Sequence, residues 1–239
     1  MKLCKFQTLL VSAVFLLVAA AFAVAQAPAR PNFNRASTYD VQHYTIRASF
    51  DREKKQVFGD TTVSLKPLAA GFREFDLDAE DMAFSSVALD PEGTSLKFTM
   101  APKSIHIVLD KAYGPDDIVS VRFKYISTPR KGVYFVDADN STQQMGHSAQ
   151  IWSQGESEFN RYWFPSYDTP NDFRTTELRA TAAKPFYVVS NGKLISTKDN
   201  PDGTRTFDWK MDQPYANYLT SIVVAETTPV VQDFDGIPV

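Results

Sequence analysis

The side chains best able to do chemistry crowd into one stretch of this chain, between Gln150 and Glu177. Gln154-Gly155-Glu156 sets an amide and a carboxylate two residues apart, and Arg161 and Asp168 follow on either side of Trp163-Phe164-Pro165. Spacing alone leaves Glu156 two readings. It is a solvated strand-edge charge paired with Arg161, or a group kept for an external cation through a charge-assisted hydrogen bond. Arg161 and Asp168 read as structural, an Arg and an Asp tying down by hydrogen bonds the Phe-Pro turn they bracket.

Other chemistries find little support. His43, His106 and His147 are separated by 63 and 41 residues, a spacing with no metal-ligand signature, and the helical His-Glu-x-x-His of zinc peptidases is absent. The single cysteine, Cys4, lies in the leader, so the mature chain offers no thiol nucleophile, no disulfide and no cysteine-bound zinc. No Gly-x-Ser-x-Gly elbow or glycine-rich phosphate loop occurs. Asp76 with Asp78, and Glu80 with Asp81, could suggest paired-carboxylate hydrolysis of glycosides, but solvated turn charges explain them more simply. A net charge of −3 with scattered Lys and Arg argues against a nucleic-acid partner.

The elements that must position these residues are strands. The pattern changes from Val41 onward, and residues 43–50 and 57–65 alternate apolar and polar side chains across a charged turn at 51–55, the period of a half-buried hairpin. Further strands are expected at 72–77, 84–89, 95–100, 104–109, 118–126, 132–136, 149–153, 175–182, 187–190, 204–210 and 218–225, set off by turn clusters such as Asp90-Pro91-Glu92-Gly93. A helical turn is expected at most near 79–81 or 171–172. The spacing predicts an all-β chain of antiparallel sheets packed as a sandwich or saddle.

Before these strands comes a leader. Lys2 and Lys5 precede an apolar run from Leu9 to Phe22, with small residues at Ala23 and Ala25, the pattern of a secretory signal cleaved near Ala25. Export to a periplasmic or extracellular compartment follows, with membrane attachment only if the signal stays uncleaved. Residues 26–39, rich in Ala, Pro and Asn, read as a flexible lead-in, and residues 40–239 as one β-domain. Asn140-Ser141-Thr142 is a glycosylation acceptor only in a host that glycosylates exported chains.

Taken together, Gln154-Gly155-Glu156, Arg161 and Phe164-Pro165-Ser166-Tyr167-Asp168-Thr169-Pro170 resemble, in order and spacing, the Gln-x-Glu triplet and Phe-Pro-Cys-x-Asp-x-Pro turn of the aminopeptidase N family of zinc metallo-aminopeptidases. Gly132-Val133-Tyr134, Val189-Ser190-Asn191-Gly192 and Pro214-Tyr215-Ala216-Asn217-Tyr218-Leu219 are similar to flanking family segments. Ser166 stands where the family has cysteine, and Asp172-Phe173-Arg174 departs from its usual Lys-Ala-Thr.

The resemblance implies the family's N-terminal β-domain, a saddle-like sandwich with the triplet on a strand. It implies that Glu156 binds the free α-amine of a peptide and Gln154 lines the pocket for its first side chain. It also implies zinc in a following catalytic domain that is missing here, as are the His-Glu-x-x-His and Gly-x-Met-Glu-Asn segments, so this chain alone should be inactive. The alternative is a stand-alone secreted β-sandwich that binds peptides or a protein partner.

Overall fold

The computed structural model describes residues 37–139, 148–230, 232–235 and 237–238. The leader, the lead-in as far as residue 36, Asn140 and His147 lie outside the described residues. The strands are β1 (Tyr39–Asp51), β2 (Gln56–Pro67), β3 (Phe72–Asp78), β4 (Met82–Leu89), β5 (Lys97–Ala101), β6 (Ser104–Tyr113), β7 (Val119–Ser127) and β8 (Val133–Val136). They continue as β9 (Gln150–Ser153), β10 (Phe173–Ala183), β11 (Tyr187–Ser190), β12 (Lys193–Asp199), β13 (Thr204–Ala216), β14 (Ile222–Ala225), β15 (Asp233–Phe234) and β16 (Ile237–Pro238). Among the described residues there is no α-helix, only two 3₁₀ turns, at Asn160–Tyr162 and Asn217–Leu219.

The β1–β2 hairpin forms as its alternation predicts, turning where Lys54 N–H donates to Asp51 Oδ1 at 2.9 Å. It sits inside a seven-stranded sheet of order β12-β13-β10-β1-β2-β7-β4. Every pairing in that sheet is antiparallel except β1 with β10, which run parallel, so the sheet is mixed where the sequence suggested antiparallel throughout. Local alternation cannot report the direction of a partner that lies more than a hundred residues away. A four-stranded sheet (β11-β14-β9-β8) and a three-stranded sheet (β3-β6-β5) complete the core.

Period 2 sorts the residues of each strand between two faces. Tyr44, Ile46 and Ala48 of β1 face the core with Val63, Leu65, Val121 and Phe123, while Thr45 and Arg47 stay partly exposed on the other face. The core row of the four-stranded sheet, Ile151, Val188 and Val224, joins the same cluster as Trp163 and Phe164.

Three expectations need correction. β12 was not legible: its Lys193-Leu194-Ile195-Ser196-Thr197 is an exposed edge strand whose register shifts between Leu194 and Ser196, which breaks the alternation. Tyr218 and Leu219 lie in a 3₁₀ turn rather than a strand, because Thr220 N–H closes onto Asn217 O at 3.0 Å and pairing resumes only at Ile222. Asp78 and Glu80 are buried rather than solvated turn charges.

The loop from Phe159 to Asp172 crosses the core under a chain of polar contacts. Arg161 reaches Asp168 Oδ2 from both its backbone N–H (3.0 Å) and its Nε (3.2 Å), and its Nη1 lies 3.5 Å from Asp78 Oδ1. Asp78 Oδ2 accepts the Asp168 N–H at 2.9 Å, and the Asp78 and Ser166 backbones bridge each other. The other oxygen of Asp168 accepts from Asn217 Nδ2 at 2.6 Å, and Asn217 Oδ1 accepts from Arg174 Nη2 at 2.6 Å. Arg174, one of the largest fully buried side chains, lies against Tyr44 and Tyr215 at 5.2 and 4.6 Å from their rings and donates to Tyr215 O at 2.7 Å and to Thr220 Oγ1.

Burial pushes the Asp168 carboxyl up to about 6, against the opposing pull of the Arg161 N–H and guanidinium and of Asn217. Asp172, buried with its Oδ2 unbonded among the described residues, rises to about 7 for the same reason, with Arg174 opposing. A folded-state value above the unfolded one means the folded chain holds the extra proton. The contribution is present in full below about pH 4 and is lost as pH rises through about 6 to 7.

Replacing Asp172 with Asn should therefore leave stability near wild type at pH 4 and gain about 4 kcal/mol over wild type by pH 8, a tenfold change in proton affinity being worth about 1.4 kcal/mol. Urea unfolding at the two pH values measures the gap, and a gap that does not widen with pH would refute the assignment. Asp168→Ala, which removes one of the three carboxylates that hold Arg161 and the acceptor of Asn217 Nδ2, should cost about 3 kcal/mol at pH 7. A loss under about 1 kcal/mol in the same assay would show that the pair is dispensable.

Candidate functional site

Gln154 and Glu156 lie immediately beyond β9 in the connecting loop, one step past the strand on which the sequence placed them. Gln154 N–H makes the last hydrogen bond of the β8–β9 ladder, to Gly132 O at 2.8 Å. The loop then folds tightly, with Phe159 N–H donating to Gly155 O at 2.9 Å. Gly155 is buried against the second 3₁₀ turn, and a Cβ there would stand 2.5 Å from Tyr218 O and 2.8 Å from Asn160 Oδ1. Only glycine permits that approach. The two polar side chains are thereby presented on either side of a pinned residue, and both are exposed.

Arg161 is not the partner of Glu156. Its guanidinium is engaged by Glu158 (3.1 Å), Asp78 and Asp168, and Glu156 makes no ion pair among the described residues. Within the triplet the Glu156 N–H donates to Gln154 Oε1 at 3.3 Å, which leaves the Glu156 carboxylate itself uninvolved. The reading of Glu156 as one half of a surface pair with Arg161 is thus overturned. Arg161 and Asp168 do tie the Phe-Pro loop as their spacing suggested.

Beside the triplet opens a cleft of about 460 Å³, lined by Gln154, Glu156, Asn191, Met211, Tyr218 and Leu219 among others. Asn191 braces its wall, accepting from Ser221 N–H at 2.7 Å and donating to Leu219 O at 3.0 Å. Sequence reasoning singled out the Val189–Gly192 and Pro214–Leu219 segments without assigning them to this cleft. Tyr215 and Tyr218 stand here because Arg174 and Asn217 hold the turn that carries them.

On the outward face of the four-stranded sheet, Tyr134, Trp152, Val223 and Val189 stand side by side across all four strands. Trp152 stacks on Tyr134 with ring centroids 4.6 Å apart, and Trp152, Val223 and Val189 remain 37–42% exposed. Within this apolar row Trp152 directly precedes Ser153, which lines the cleft.

The remaining candidates are scattered. His43 on β1 bonds Thr175 Oγ1 at 2.7 Å, its pKa lowered by burial, whereas His106 on β6 lies between Asp76 (3.0 Å) and Glu74 (3.8 Å) on the three-stranded sheet. Among the described residues no group of three His, Cys, Asp or Glu side chains could hold a metal ion. Glu80 is taken up by Arg130 at 2.5 Å. Trp163 is fully buried, its Nε1 donating to Asn160 Oδ1 at 2.8 Å.

Known proteins share this fold. Residues 40–219 match the model of the peptidase M1 N-terminal domain. Leucine aminopeptidase 2 of Vanderwaltozyma polyspora is 23% identical over 192 residues, 80% of this chain and 29% of that protein. Transcription initiation factor TFIID subunit 2 of Gallus gallus is also 23% identical, over 82% of this chain and 17% of its own length. The crystal structure of an M1 zinc metallopeptidase from Deinococcus radiodurans superposes with a TM-score of 0.68 at 18% identity, over 79% of this chain and 42% of that one. A two-domain M1 zinc metallopeptidase mutant bound to L-tryptophan gives 0.70 at 18% identity, over 85% and 47%. The chain thus spans less than half the length of these relatives, and the match across most of its residues shows that it belongs to the peptidase M1 N-terminal domain family.

Proposed function

We propose that this chain supplies the substrate-recognition edge of an exported zinc aminopeptidase, with Glu156 binding the free α-amine of a peptide and Gln154 lining the pocket for its first side chain. The observation that carries this reading is the carboxylate of Glu156, exposed at the rim of a cleft with no ion-pair partner among the described residues, Arg161 being held by three other carboxylates. A carboxylate so placed accepts a charge-assisted hydrogen bond from an ammonium, and an acetylated N-terminus cannot replace that bond. Met211, Tyr218 and Leu219 give the cleft an apolar wall beside it.

In this reading a zinc domain supplies the hydrolytic chemistry and this chain binds and orients the substrate; among the described residues no group of three His, Cys, Asp or Glu side chains could hold a metal ion. The exposed row Tyr134–Trp152–Val223–Val189 supports the presence of a covering surface, since an apolar strip across four strands beside a binding cleft marks an interaction site. The same row, with the similarity to a protein named as a transcription initiation factor subunit, also supports the second reading, a binding module without its own hydrolytic partner.

Chemical-shift mapping of the chain with a short unblocked peptide amide should move resonances of residues 153–156 and 218–221 a few fold further than the N-acetylated peptide does at the same concentration, the worth of an exposed ion pair being about 0–1 kcal/mol. Glu156→Ala should abolish the difference without altering the melting temperature. Equal shifts from the two peptides would overturn the amine-binding role. In a polypeptide that carries the zinc domain, Glu156→Ala should lower kcat/KM on aminoacyl substrates at least about tenfold, the worth of one charged hydrogen bond. Gly155→Ala, which drives a methyl group into Tyr218 O, should do the same through displacement of the loop, and wild-type kcat/KM in that variant would show that the pinning is unimportant. Export is checked by N-terminal sequencing, which should begin at Gln26, whereas a chain that begins at Met1 would overturn cleavage.

A further inference from the structure

The face of the seven-stranded sheet turned away from the core carries ordered rows of polar side chains. One row runs Ser196, Asp208, Arg179, Arg47, Asp60 and Lys124 across β12, β13, β10, β1, β2 and β7. Arg47 and Arg179 are direct cross-strand neighbours, and like charges placed opposite each other destabilise a sheet. They line a trough made of two adjoining depressions, of about 410 and 290 Å³, that share these two arginines. Thr45, Ser49, Thr181 and Ser196 contribute hydroxyl-bearing side chains to its walls.

The carboxylates in the row are already committed. Asp60 receives Arg122 Nε at 2.7 Å and Nη2 at 2.6 Å, a bidentate pair, and Asp208 receives Arg179 Nε at 2.5 Å and the Ser196 hydroxyl at 2.7 Å. Glu177, the other acid lining the trough, faces Lys210 at 3.7 Å. Arg47 is left with Asp60 at 3.8 Å, too long for a hydrogen bond, and its Nη1 is closed off from solvent with no acceptor among the described residues. A buried donor without an acceptor is costly, and a small rotation toward an anion in the trough would gain that bond without giving one up.

We propose that this trough is a binding site for a small oxyanion, a phosphate or carboxylate group, held by the forked guanidinium of Arg47 with Arg179 beside it. Arginine suits both anions because its planar donors match two oxygens at once. The site is separate from the Gln154–Glu156 cleft and does not rest on the amine-binding reading.

Isothermal titration of the intact chain with inorganic phosphate, and separately with acetate, at constant ionic strength, tests this. Saturable binding is expected, weakened at least about tenfold in Arg47→Met, less in Arg47→Lys, and unchanged in Glu156→Ala. Phosphate binding without acetate binding identifies a phosphoryl ligand, and the reverse identifies a carboxylate; either supports the site. Arg47→Met should melt no lower than wild type, since it relieves the Arg47–Arg179 repulsion, so lost binding can be separated from lost folding. No saturable heat with either anion, or equal affinity in Arg47→Met, would overturn the proposal.

Discussion

One buried carboxylate organises the functional end of this domain. Asp168 is fully enclosed, and its two oxygens serve different parts of the chain: one receives Arg161 twice, the other receives Asn217. Taking a charge out of water is expensive, and burial raises this group's pKa in spite of its partners. The arrangement therefore contributes specificity more than net stability: the Phe-Pro loop and the second 3₁₀ turn can settle in only one relative position. Replacing both partners with apolar groups could leave the core stable, yet nothing would then fix where Tyr218 sits.

That position matters because the loop that carries Gln154 and Glu156 rests on it. Gly155 packs against Tyr218 O, and Asn160, at the start of the first 3₁₀ turn, donates to Asn217 O at 2.5 Å. Arg174 extends the network, filling the space between Tyr44 and Tyr215 and capping Asn217 and Thr220. The departure from the family's loop at Asp172-Phe173-Arg174 thus brings in its own compensation: a large buried cation arrives with two tyrosine faces and four oxygen acceptors, and a buried acid accompanies it. Phe173 between them stays 62% exposed, so the altered triplet sends alternate residues inward as a strand must.

Much of this was legible in the sequence, and the limits have physical causes. Alternation located β1, β2, β6 and β7, because each has one face in the core and one outside. The Arg161–Asp168 tie was legible because both ends lie in one short loop. By contrast, Asp78 and Glu80 looked like turn charges because their partners, Asp168 and Arg130, are 90 and 50 residues away. Tyr218 and Leu219 looked like the start of a strand because both are good strand residues; the hydrogen bond from the Asn217 side chain to a distant carboxylate overrode that propensity. The parallel β1–β10 pairing and the charged row it creates depend on topology, which no local pattern encodes.

The exposure of Glu156 sets a limit on what the domain achieves by itself. In water an exposed ion pair contributes roughly 0–1 kcal/mol, too little to distinguish a free amine from a blocked one by more than a few fold. The same pair in a water-poor site is worth several times more, since a lower dielectric strengthens the attraction and leaves an unmatched charge uncompensated. The sheet whose β9 leads into the triplet carries a partly exposed apolar row from Tyr134 to Val189, and a covering surface that extended to the neighbouring cleft would exclude water from it. On the proposed reading, selectivity for a free N-terminus is therefore a property of the covered site: this domain would supply the Glu156 carboxylate, which makes no ion pair among the described residues, and the covering surface would supply the low dielectric that makes it discriminating.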